Sequence, residues 1–189
     1  MRLYDAGVVV ALPWGEPLTY AALGEMPDDG HRRELVDGAL LVSPAPGGRH
    51  QLCVARLLRV LAEAASEGLE VIPGPYDWLV SPTTVLEPDL LVIKAEDLGE
   101  AHLDSVPLLV VEVLSPSTRR TDWGTKRLSY AAAGLPWYWI VDPGVPDLAV
   151  LRLHGDVLEE QARVSGIQPY EAADPFPVKV VPADLVAPR

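Results

Sequence analysis

The most apolar stretch of the chain is residues 107–115, PLLVVEVLS, in which six aliphatic side chains surround one carboxylate, Glu112. The apolar residues are consecutive and do not alternate with polar ones, which predicts a strand buried on both faces of a sheet. We expect helices to cover each side of that sheet. An ionised Glu112 is costly to bury there unless a cation or several hydrogen-bond donors meet it. The pattern therefore predicts a positively charged partner for Glu112.

The patterns before this strand predict one short helix, one hairpin, one long helix and three strands. Thr19 is a suitable N-cap for the short helix. The Asp37-Gly38 pair is typical of a tight hairpin turn, and Gly68 is placed to end the long helix, whose apolar side chains recur at helical spacing. The predicted elements are a helix over residues 19–24, a hairpin over 33–43, a helix over 50–67 and strands over 69–72, 77–80 and 89–93.

The patterns after residue 115 predict a second long helix and then mainly strands. This helix begins at Thr121 or Asp122 and reaches Ala133, and Gly134 follows as its C-terminal cap. The remaining predicted elements are a loop or single helical turn over residues 95–106, a strand over 137–141, a hairpin over 148–153 and 157–164, and an edge strand over 178–181. Residues 1–17 show no periodicity and are predicted to form an N-terminal arm. No linker divides residues 18–189, which we expect to form a single domain.

The composition narrows the possible classes of function. With 189 residues, 49% of them hydrophobic and 22% charged, the chain suits one globular domain. The net charge of −12 argues against a broadly basic nucleic-acid-binding surface, so such a site has to be a local basic patch or use bound cations. Cys53 is the only cysteine, which excludes a disulfide framework. Because there is no apolar run of ~20 residues and no signal-peptide pattern, we expect a cytoplasmic protein that does not enter a membrane.

Each of two consecutive apolar strands carries one carboxylate. Asp89 begins the run over residues 89–93, and Glu112 lies inside the next strand. If these strands pair antiparallel about their connection, residues whose numbers add to 201 or 202 face each other, as Asp89 and Glu112 do, with Cβ atoms ~5 Å apart. Like charges this close repel, so either one acid is protonated or a cation lies between them. Their oxygens are hard ligands, and no cysteine or histidine is near in sequence, so Mg²⁺ or Mn²⁺ is the expected cation.

The second long helix carries a candidate positive group for these acids. Trp123, Lys126 or Arg127, and Tyr130 lie on one face at spacings of three and four residues. Only three of the 15 basic residues counted as Lys or Arg are lysines, so a lysine on this helix stands out. A lysine is able to position or deprotonate a water, whereas a guanidinium stays charged and does not act as a base. Lys126 is therefore the predicted functional cation.

Several short motifs are spread over nearly the whole chain. They are an ELVDG hairpin within residues 19–50, EPD at 87–89, EVLSPST at 112–118, the residues Asp122, Lys126, Tyr130 and Gly134, and YWIVDP at 138–143. Together these motifs resemble the Uma-type restriction endonuclease family, which belongs to the PD-(D/E)XK nuclease superfamily. The resemblance extends from about residue 18 to residue 185, and the block from EVLSPST to VDP is its most specific part.

This resemblance implies a fold and a set of catalytic residues. The implied fold is a restriction-endonuclease-like α/β (α+β) core with a mixed β-sheet flanked by helices. Asp89 matches the aspartate of the PD element, and Glu112 matches the second acid. The superfamily's lysine falls two residues after the second acid, where this chain has Leu114, and Lys126 resembles a migrated replacement. Glu34 resembles an additional acid upstream of the core.

The implied reaction is hydrolysis of phosphodiester bonds in DNA with Mg²⁺ or Mn²⁺ as cofactor. Asp89, Glu112 and the main-chain carbonyl of Val113 are the implied metal ligands. Lys126 is implied to orient the attacking water and to stabilise the transition state. The residues expected to contact the substrate are Arg119, Arg120, Arg127, Tyr130 and His50. A homodimer is a further expectation, since it would cut both strands of a duplex.

Each assignment has a structural alternative. Glu112 and Lys126 could form only a salt bridge, Glu34 could be a surface charge of the hairpin, and the arginines could be solvated. For the whole protein, the alternative is a catalytically degenerate nuclease fold that binds nucleic acid or a protein partner. Mg²⁺ separates the two hypotheses, because an enzyme binds it at the acid pair and loses cleavage on Asp89→Ala, whereas a binding module keeps its partner affinity.

Overall fold

The computed structural model describes residues 9–11, 15–27 and 29–186, so most of the predicted arm over residues 1–17 lies outside the described residues. The strands are β1 (Val9–Ala11), β2 (Arg32–Val36), β3 (Ala39–Ser43), β4 (Leu69–Pro73), β5 (Asp77–Ser81), β6 (Thr84–Leu86), β7 (Leu90–Lys94), β8 (His102–Leu103), β9 (Leu109–Val113), β10 (Trp137–Asp142), β11 (Asp147–His154), β12 (Val157–Ser165), β13 (Tyr170–Ala172) and β14 (Val178–Val180). The helices are α1 (Tyr20–Gly24), α2 (Gly48–Ala64), α3 (Arg119–Thr121), α4 (Arg127–Ala132) and α5 (Pro182–Val186), with a 3₁₀ turn at Ala95–Asp97 and a π-helical turn at Asp122–Lys126. None of the helices in the described ranges is long and apolar enough to cross a membrane.

The central sheet has the strand order β12-β11-β10-β9-β7-β4. Strand β9 runs parallel to β10 and antiparallel to β7, and the other pairs in this sheet are antiparallel. All residues of β9 are buried. The mixed sheet is therefore confirmed, and its most apolar strand lies inside it with a neighbour on either side.

Different elements pack on the two faces of the central sheet. Helix α2 packs on one face through Cys53, Leu57 and Leu61. On the other face, Tyr130 of α4 lies in a second apolar cluster with Trp78 of β5, and the two rings stack with their centroids 5.9 Å apart. A helix thus lies on each side, as predicted, but on the second side a smaller sheet shares the cover with α4.

This smaller sheet has the strand order β1-β3-β2-β6-β5-β8 and is built on the predicted hairpin. Strands β2 and β3 are joined by Asp37 and Gly38, both with positive φ (50° and 78°), as a two-residue turn of this kind requires. Strands β1, β6 and β8 were not predicted, and β8 lies in the segment predicted as a loop or single helical turn. Each spans two or three residues, which is too short for an alternating pattern to show.

The ends of the two long helices differ from the prediction. Helix α2 ends at Ala64 and not near residue 67, because Ala65 leaves the helix with a ψ of 133°. The second helical run begins at Arg119, earlier than predicted, and its middle is the π-helical turn Asp122–Lys126. Such a turn holds one residue more than an α-helical turn and is frequent at functional sites. Here it contains two buried charged residues, Asp122 and Lys126.

Candidate active site

Asp89 and Glu112 come together where β7 and β9 pair. The observed register places Leu90 opposite Val111, so residue numbers add to 201 as predicted. Asp89 directly precedes β7, and its Oδ2 accepts a hydrogen bond from the main-chain N–H of Val113 at 2.7 Å. Only 3% of Asp89 and 2% of Glu112 are exposed. The two predicted side-chain metal ligands are therefore buried cross-strand neighbours.

Asp89 also has two side-chain partners. Nη2 of Arg32 lies 2.9 Å from Oδ1, and Nε2 of His50 lies 3.0 Å from Oδ2. Burial would raise the pKa of Asp89, but the hydrogen bond from His50 and the charge of Arg32 outweigh burial and lower the pKa below its usual range. Asp89 is consequently ionised at neutral pH.

Glu112 is held by two residues of the second helical run, Lys126 and Tyr130. Its Oε1 accepts hydrogen bonds from Lys126 Nζ at 2.9 Å and from the hydroxyl of Tyr130 at 2.6 Å. Burial raises the pKa of Glu112 against the opposing charge of Lys126, and the neighbouring carboxylates of Asp89 and Asp122 raise it further. Glu112 thus binds its proton more tightly than an ordinary glutamate, in contrast to Asp89.

Lys126 is the positive partner that the apolar strand predicted for Glu112. Its Nζ is also 2.9 Å from Glu34 Oε1 and 4.0 Å from Asp122 Oδ1, and 3% of its side chain is exposed. Burial alone lowers the pKa of an amine, but these acids outweigh burial and raise the pKa of Lys126 above its usual range. The ammonium therefore keeps its proton, and a protonated lysine does not accept a proton from a water.

Glu34 joins the same cluster from the smaller sheet. It lies on β2 with only 1% of the residue exposed, and its Oε1 accepts a hydrogen bond from the main-chain N–H of Glu87 at 2.9 Å. Glu34 and Glu112 therefore hold the ammonium of Lys126 from two sheets. A surface charge of the hairpin, the alternative reading of Glu34, does not describe this position.

The three arginines predicted to contact phosphate lie in different places. The guanidinium of Arg119 pairs with the carboxylate of Asp142, and Arg120 is exposed. Arg127 instead donates from Nε to the main-chain carbonyl of Leu158 on β12 at 3.0 Å. Successive residues on a helix do not share a face. Because the side chain of Lys126 points towards Glu112, that of the next residue, Arg127, points elsewhere. The structure does not bring Arg127 to the acids.

Three further charged residues belong to the cluster and were not predicted as site residues: Arg32, Glu87 and Asp122. Arg32 Nε is 2.9 Å from Glu87 Oε1, and burial raises the pKa of Glu87 to about 7 against the opposing charge of Arg32. Both carboxylate oxygens of Asp122 are buried, and burial raises the pKa of Asp122 against the opposing charge of Lys126. Alternation along β2 places Arg32 on the same face as Glu34, a signal that was available in the sequence. No pattern indicated the π-helical turn that buries Asp122.

The acids border a cavity of about 160 Å³. Its lining includes Asp89, Glu112, His50, residues 43–47 and residues 115–118. A second cavity of about 370 Å³ shares part of this lining and reaches Arg49 and Arg119. A third, of about 340 Å³, is lined by Asp89 together with Arg32 and Glu87. Asp89 therefore borders two of these cavities, and Glu112 borders the smallest of the three.

The carboxylates of the site are the groups that could coordinate a divalent ion. In the part of the chain that the structure describes, no group of three or more His, Cys, Asp and Glu side chains is arranged to hold a metal. The acid pair alone would supply side-chain ligands, and both are hard oxygens. The cluster has more acids than permanent cations, since five carboxylates face Arg32 and Lys126. Burial favours the protonated form of several of these acids, so a cation would bind as they ionise. The hard oxygens of Asp89 and Glu112 are the donor type that Mg²⁺ and Mn²⁺ prefer.

Sequence and structure each connect this chain to proteins that are described as putative nucleases. It matches the Uma2 family, described as "Putative restriction endonuclease", over residues 20–181. It is also similar to a solved structure, a "putative nuclease belonging to DUF820" from Anabaena variabilis ATCC 29413, with a TM-score of 0.68 at 18% sequence identity. That similarity covers 90% of this chain and 98% of the other. No curated protein matches the chain.

The mixed sheet, its flanking helices and the buried acid–lysine cluster define a protein of the restriction-endonuclease-like class. At 18% identity the solved structure supports the fold alone, whereas the family match extends over most of the chain. The chain belongs to the Uma2 family, which confirms the resemblance carried by its motifs. Family and fold together support a nuclease, and therefore a hydrolase.

Proposed function

We propose that the protein is an endonuclease that hydrolyses phosphodiester bonds of DNA with the help of a divalent metal ion. The observation that carries this proposal is that Asp89 and Glu112 border one cavity while the buried Lys126 donates a hydrogen bond to Glu112. A buried ion pair with no other use adds little net stability compared with apolar packing. A catalytic use explains why these charges lie in the most apolar part of the sheet.

Asp89, Glu112 and the main-chain carbonyl of Val113 would hold Mg²⁺ or Mn²⁺. When bound, the ion supplies charge neutralisation at the phosphate and lowers the pKa of a water. The carboxylate of Asp89 is kept in place by the main-chain N–H of Val113 and by His50, and that of Glu112 by Tyr130. His50 and Tyr130, predicted as substrate contacts, are thus better described as groups that position the two acids.

Lys126 supplies a fixed positive charge beside the reacting groups. Its raised pKa keeps it protonated at neutral pH. An ammonium in this place donates hydrogen bonds to a water or a phosphate oxygen and stabilises the negative charge that develops in the transition state. Because carboxylate oxygens of Glu34 and Glu112 each lie 2.9 Å from Nζ, the position of the ammonium is set from two sides before the substrate arrives.

Arg119 and Arg120 are the proposed phosphate contacts. Both are exposed, and Arg119 lies with Arg49 on the wall of the cavity next to the acids. Arg127 is engaged by the carbonyl of Leu158 and is left out of the proposed substrate contacts. This local group of arginines provides the positive patch that a chain with a net charge of −12 needs in order to approach DNA.

The direct test is incubation of the purified protein with supercoiled plasmid and with single-stranded DNA. Cleavage is expected in Mg²⁺ or Mn²⁺ and not in EDTA, and Glu112→Gln should reduce its rate at least ~100-fold because a metal ligand is lost. Glu96→Gln, at an exposed side chain, is the control and should cut like the wild type. Intact DNA in both metals, with RNA of similar length also uncut, would contradict the proposal.

A second candidate function is a catalytically degenerate module that binds nucleic acid or a protein partner. One observation favours it: Arg32 and Lys126 already pair with Asp89 and Glu112, so the chain neutralises both acids without a metal. A module of this kind would bind DNA equally well as wild type and as Glu112→Gln. Its binding would not depend on Mg²⁺, and neither protein would cut.

Metal affinity is expected to rise with pH. The ion binds ionised Glu112, whose pKa is raised by burial and by neighbouring acids, so below that pKa a proton must leave on binding. Calorimetric titration with Mn²⁺ between about pH 6 and pH 9 should show tighter binding at higher pH, levelling off once Glu112 is ionised in the free protein. Affinity that falls as the pH rises would exclude Glu112 as the titrating ligand.

A further inference from the structure

Arg32 lies between two acids and between two cavities. Its Nη2 is 2.9 Å from Asp89 Oδ1, and its Nε is 2.9 Å from Glu87 Oε1. The side chain is 17% exposed and lines both the cavity that contains Glu112 and the larger one beside Glu87. The guanidinium therefore forms part of the wall between these two spaces.

Both oxygens of Asp89 are occupied, but not by equally movable partners. Oδ2 accepts from the main-chain N–H of Val113 in the fully buried β9 and faces the buried His50 of α2. Oδ1 is taken by Arg32, a long side chain with a second acid partner. Of the three groups on Asp89, Arg32 is the one that can leave without breaking a buried strand or helix contact, because Glu87 still holds it.

Electrostatic repulsion by a bound divalent ion gives a reason for Arg32 to leave Asp89. A guanidinium bonded to Oδ1 places a positive charge where a divalent ion would bind, and two positive centres this close in a buried site repel strongly. Arg32 cannot relieve the repulsion by losing its proton, since the surrounding acids raise its pKa further above the usual range despite burial. The ion and the guanidinium are thus competitors for the same carboxylate.

We propose that Arg32 is an exchangeable counter-cation, which neutralises Asp89 in the metal-free protein and moves off Oδ1 towards Glu87 when a divalent ion binds. This inference rests on the proposed metal site and adds to it a positioning residue that no motif marked. The exchange keeps Asp89 ionised and in place before the metal arrives. Afterwards the guanidinium remains next to the acids, where it is able to pair with a phosphate.

An arginine that only orients Asp89 for the metal would act in the opposite sense. Loss of an orienting hydrogen bond to a metal ligand weakens metal binding. Loss of a competing cation tightens it, because the ion no longer displaces a positive charge. The direction in which Mn²⁺ affinity changes therefore decides between the two roles.

The experiment compares Mn²⁺ affinity, measured by electron paramagnetic resonance of free Mn²⁺, in wild type, Arg32→Gln and Arg33→Gln. Arg33 is the matched control, since it lies on the same strand with the same 17% exposure but pairs with Asp29. Arg32→Gln is expected to bind Mn²⁺ roughly tenfold more tightly, and Arg33→Gln like the wild type. Unchanged or weaker binding by a folded Arg32→Gln protein overturns the exchange and leaves the metal site standing. Absence of Mn²⁺ binding in all three proteins overturns both.

A second measurement covers the case in which Arg32→Gln does not fold. Crystals of the wild-type protein grown with Mn²⁺ should show the guanidinium displaced from Asp89 Oδ1 and still within hydrogen-bonding distance of Glu87. A Mn²⁺-loaded crystal in which Arg32 keeps its hydrogen bond to Oδ1 overturns the proposal. Arg32→Lys, which retains the charge on a shorter side chain, should bind Mn²⁺ with an affinity between those of wild type and Arg32→Gln.

Discussion

Lys126→Met is expected to lower the free energy of unfolding by about 3–5 kcal/mol and to abolish cleavage. The ammonium is buried between Glu34, Glu112 and Asp122, and its removal leaves these acids without their shared cation. Methionine is an unbranched side chain of similar length, so the loss reflects the missing charge more than a cavity. Urea unfolding followed by tryptophan fluorescence measures the stability, and the plasmid assay measures cleavage.

Lys94→Met is the matched control for this variant. The side chain of Lys94 is 56% exposed and lies 3.8 Å from Glu96, so its removal should change stability by no more than about 0.5 kcal/mol. Adding Glu112→Gln to Lys126→Met should restore part of the stability, because one buried charge is removed, but none of the cleavage. A Lys126→Met protein as stable as Lys94→Met would show that the acid cluster is not buried as described.

Asp89→Ala is expected to reduce cleavage at least ~100-fold and to eliminate Mn²⁺ binding, because the proposed metal site loses one of its two carboxylates. Its effect on stability should be smaller than that of Lys126→Met. Arg32 keeps Glu87 as a partner, so only His50 and the main-chain N–H of Val113 lose an acceptor, at a cost of about 1–3 kcal/mol. Asp89→Ala is thus expected to lose cleavage with a smaller loss of stability than Lys126→Met.

Asp104→Ala is the control for the loss of an aspartate. Asp104 is 79% exposed and pairs with His102 in a loop outside the acid cluster, so its replacement should leave Mn²⁺ binding and cleavage unchanged. Retention of metal-dependent cleavage by Asp89→Ala would mean that Asp89 only terminates a turn before β7. In that case Glu112 and Lys126 would have to work with a different acid.

The parts of the fold that were predicted well are those in which a local pattern is sufficient. The turn at Asp37-Gly38, the helix that starts after Thr19 and the strand β10 each depend on residues within a few positions of one another. The pairing of β7 with β9 was also predictable, because one connection joins two apolar runs and the register places Asp89 beside Glu112. Strand β6 was missed because its three residues carry too little pattern.

The sequence predicted a cation beside Glu112, but it predicted only some of the residues that the structure brings together there. A carboxylate inside an apolar strand required a cation, and Lys126 fills that role. Arg127 was expected beside it and instead faces β12. Arg32, the residue on which the proposed exchange depends, is 57 positions away from Asp89 in the chain, and no short motif connects them.

Apolar runs, turn pairs and capping residues were therefore enough to predict a sheet covered by helices, its most buried strand and the need for a positive charge at Glu112, whereas the mixed strand order was implied only by the family resemblance. These features depend on side-chain periodicity and on the cost of burying an ion, which are properties of short segments. Which cations meet the acids depended on the folded arrangement. The π-helical turn that directs Lys126 and Asp122 inwards, and the packing of β2 that brings Arg32 to Asp89, result from contacts between distant segments. Alternation along β2 gives the face of Arg32, but it does not give the distant acid that this face meets.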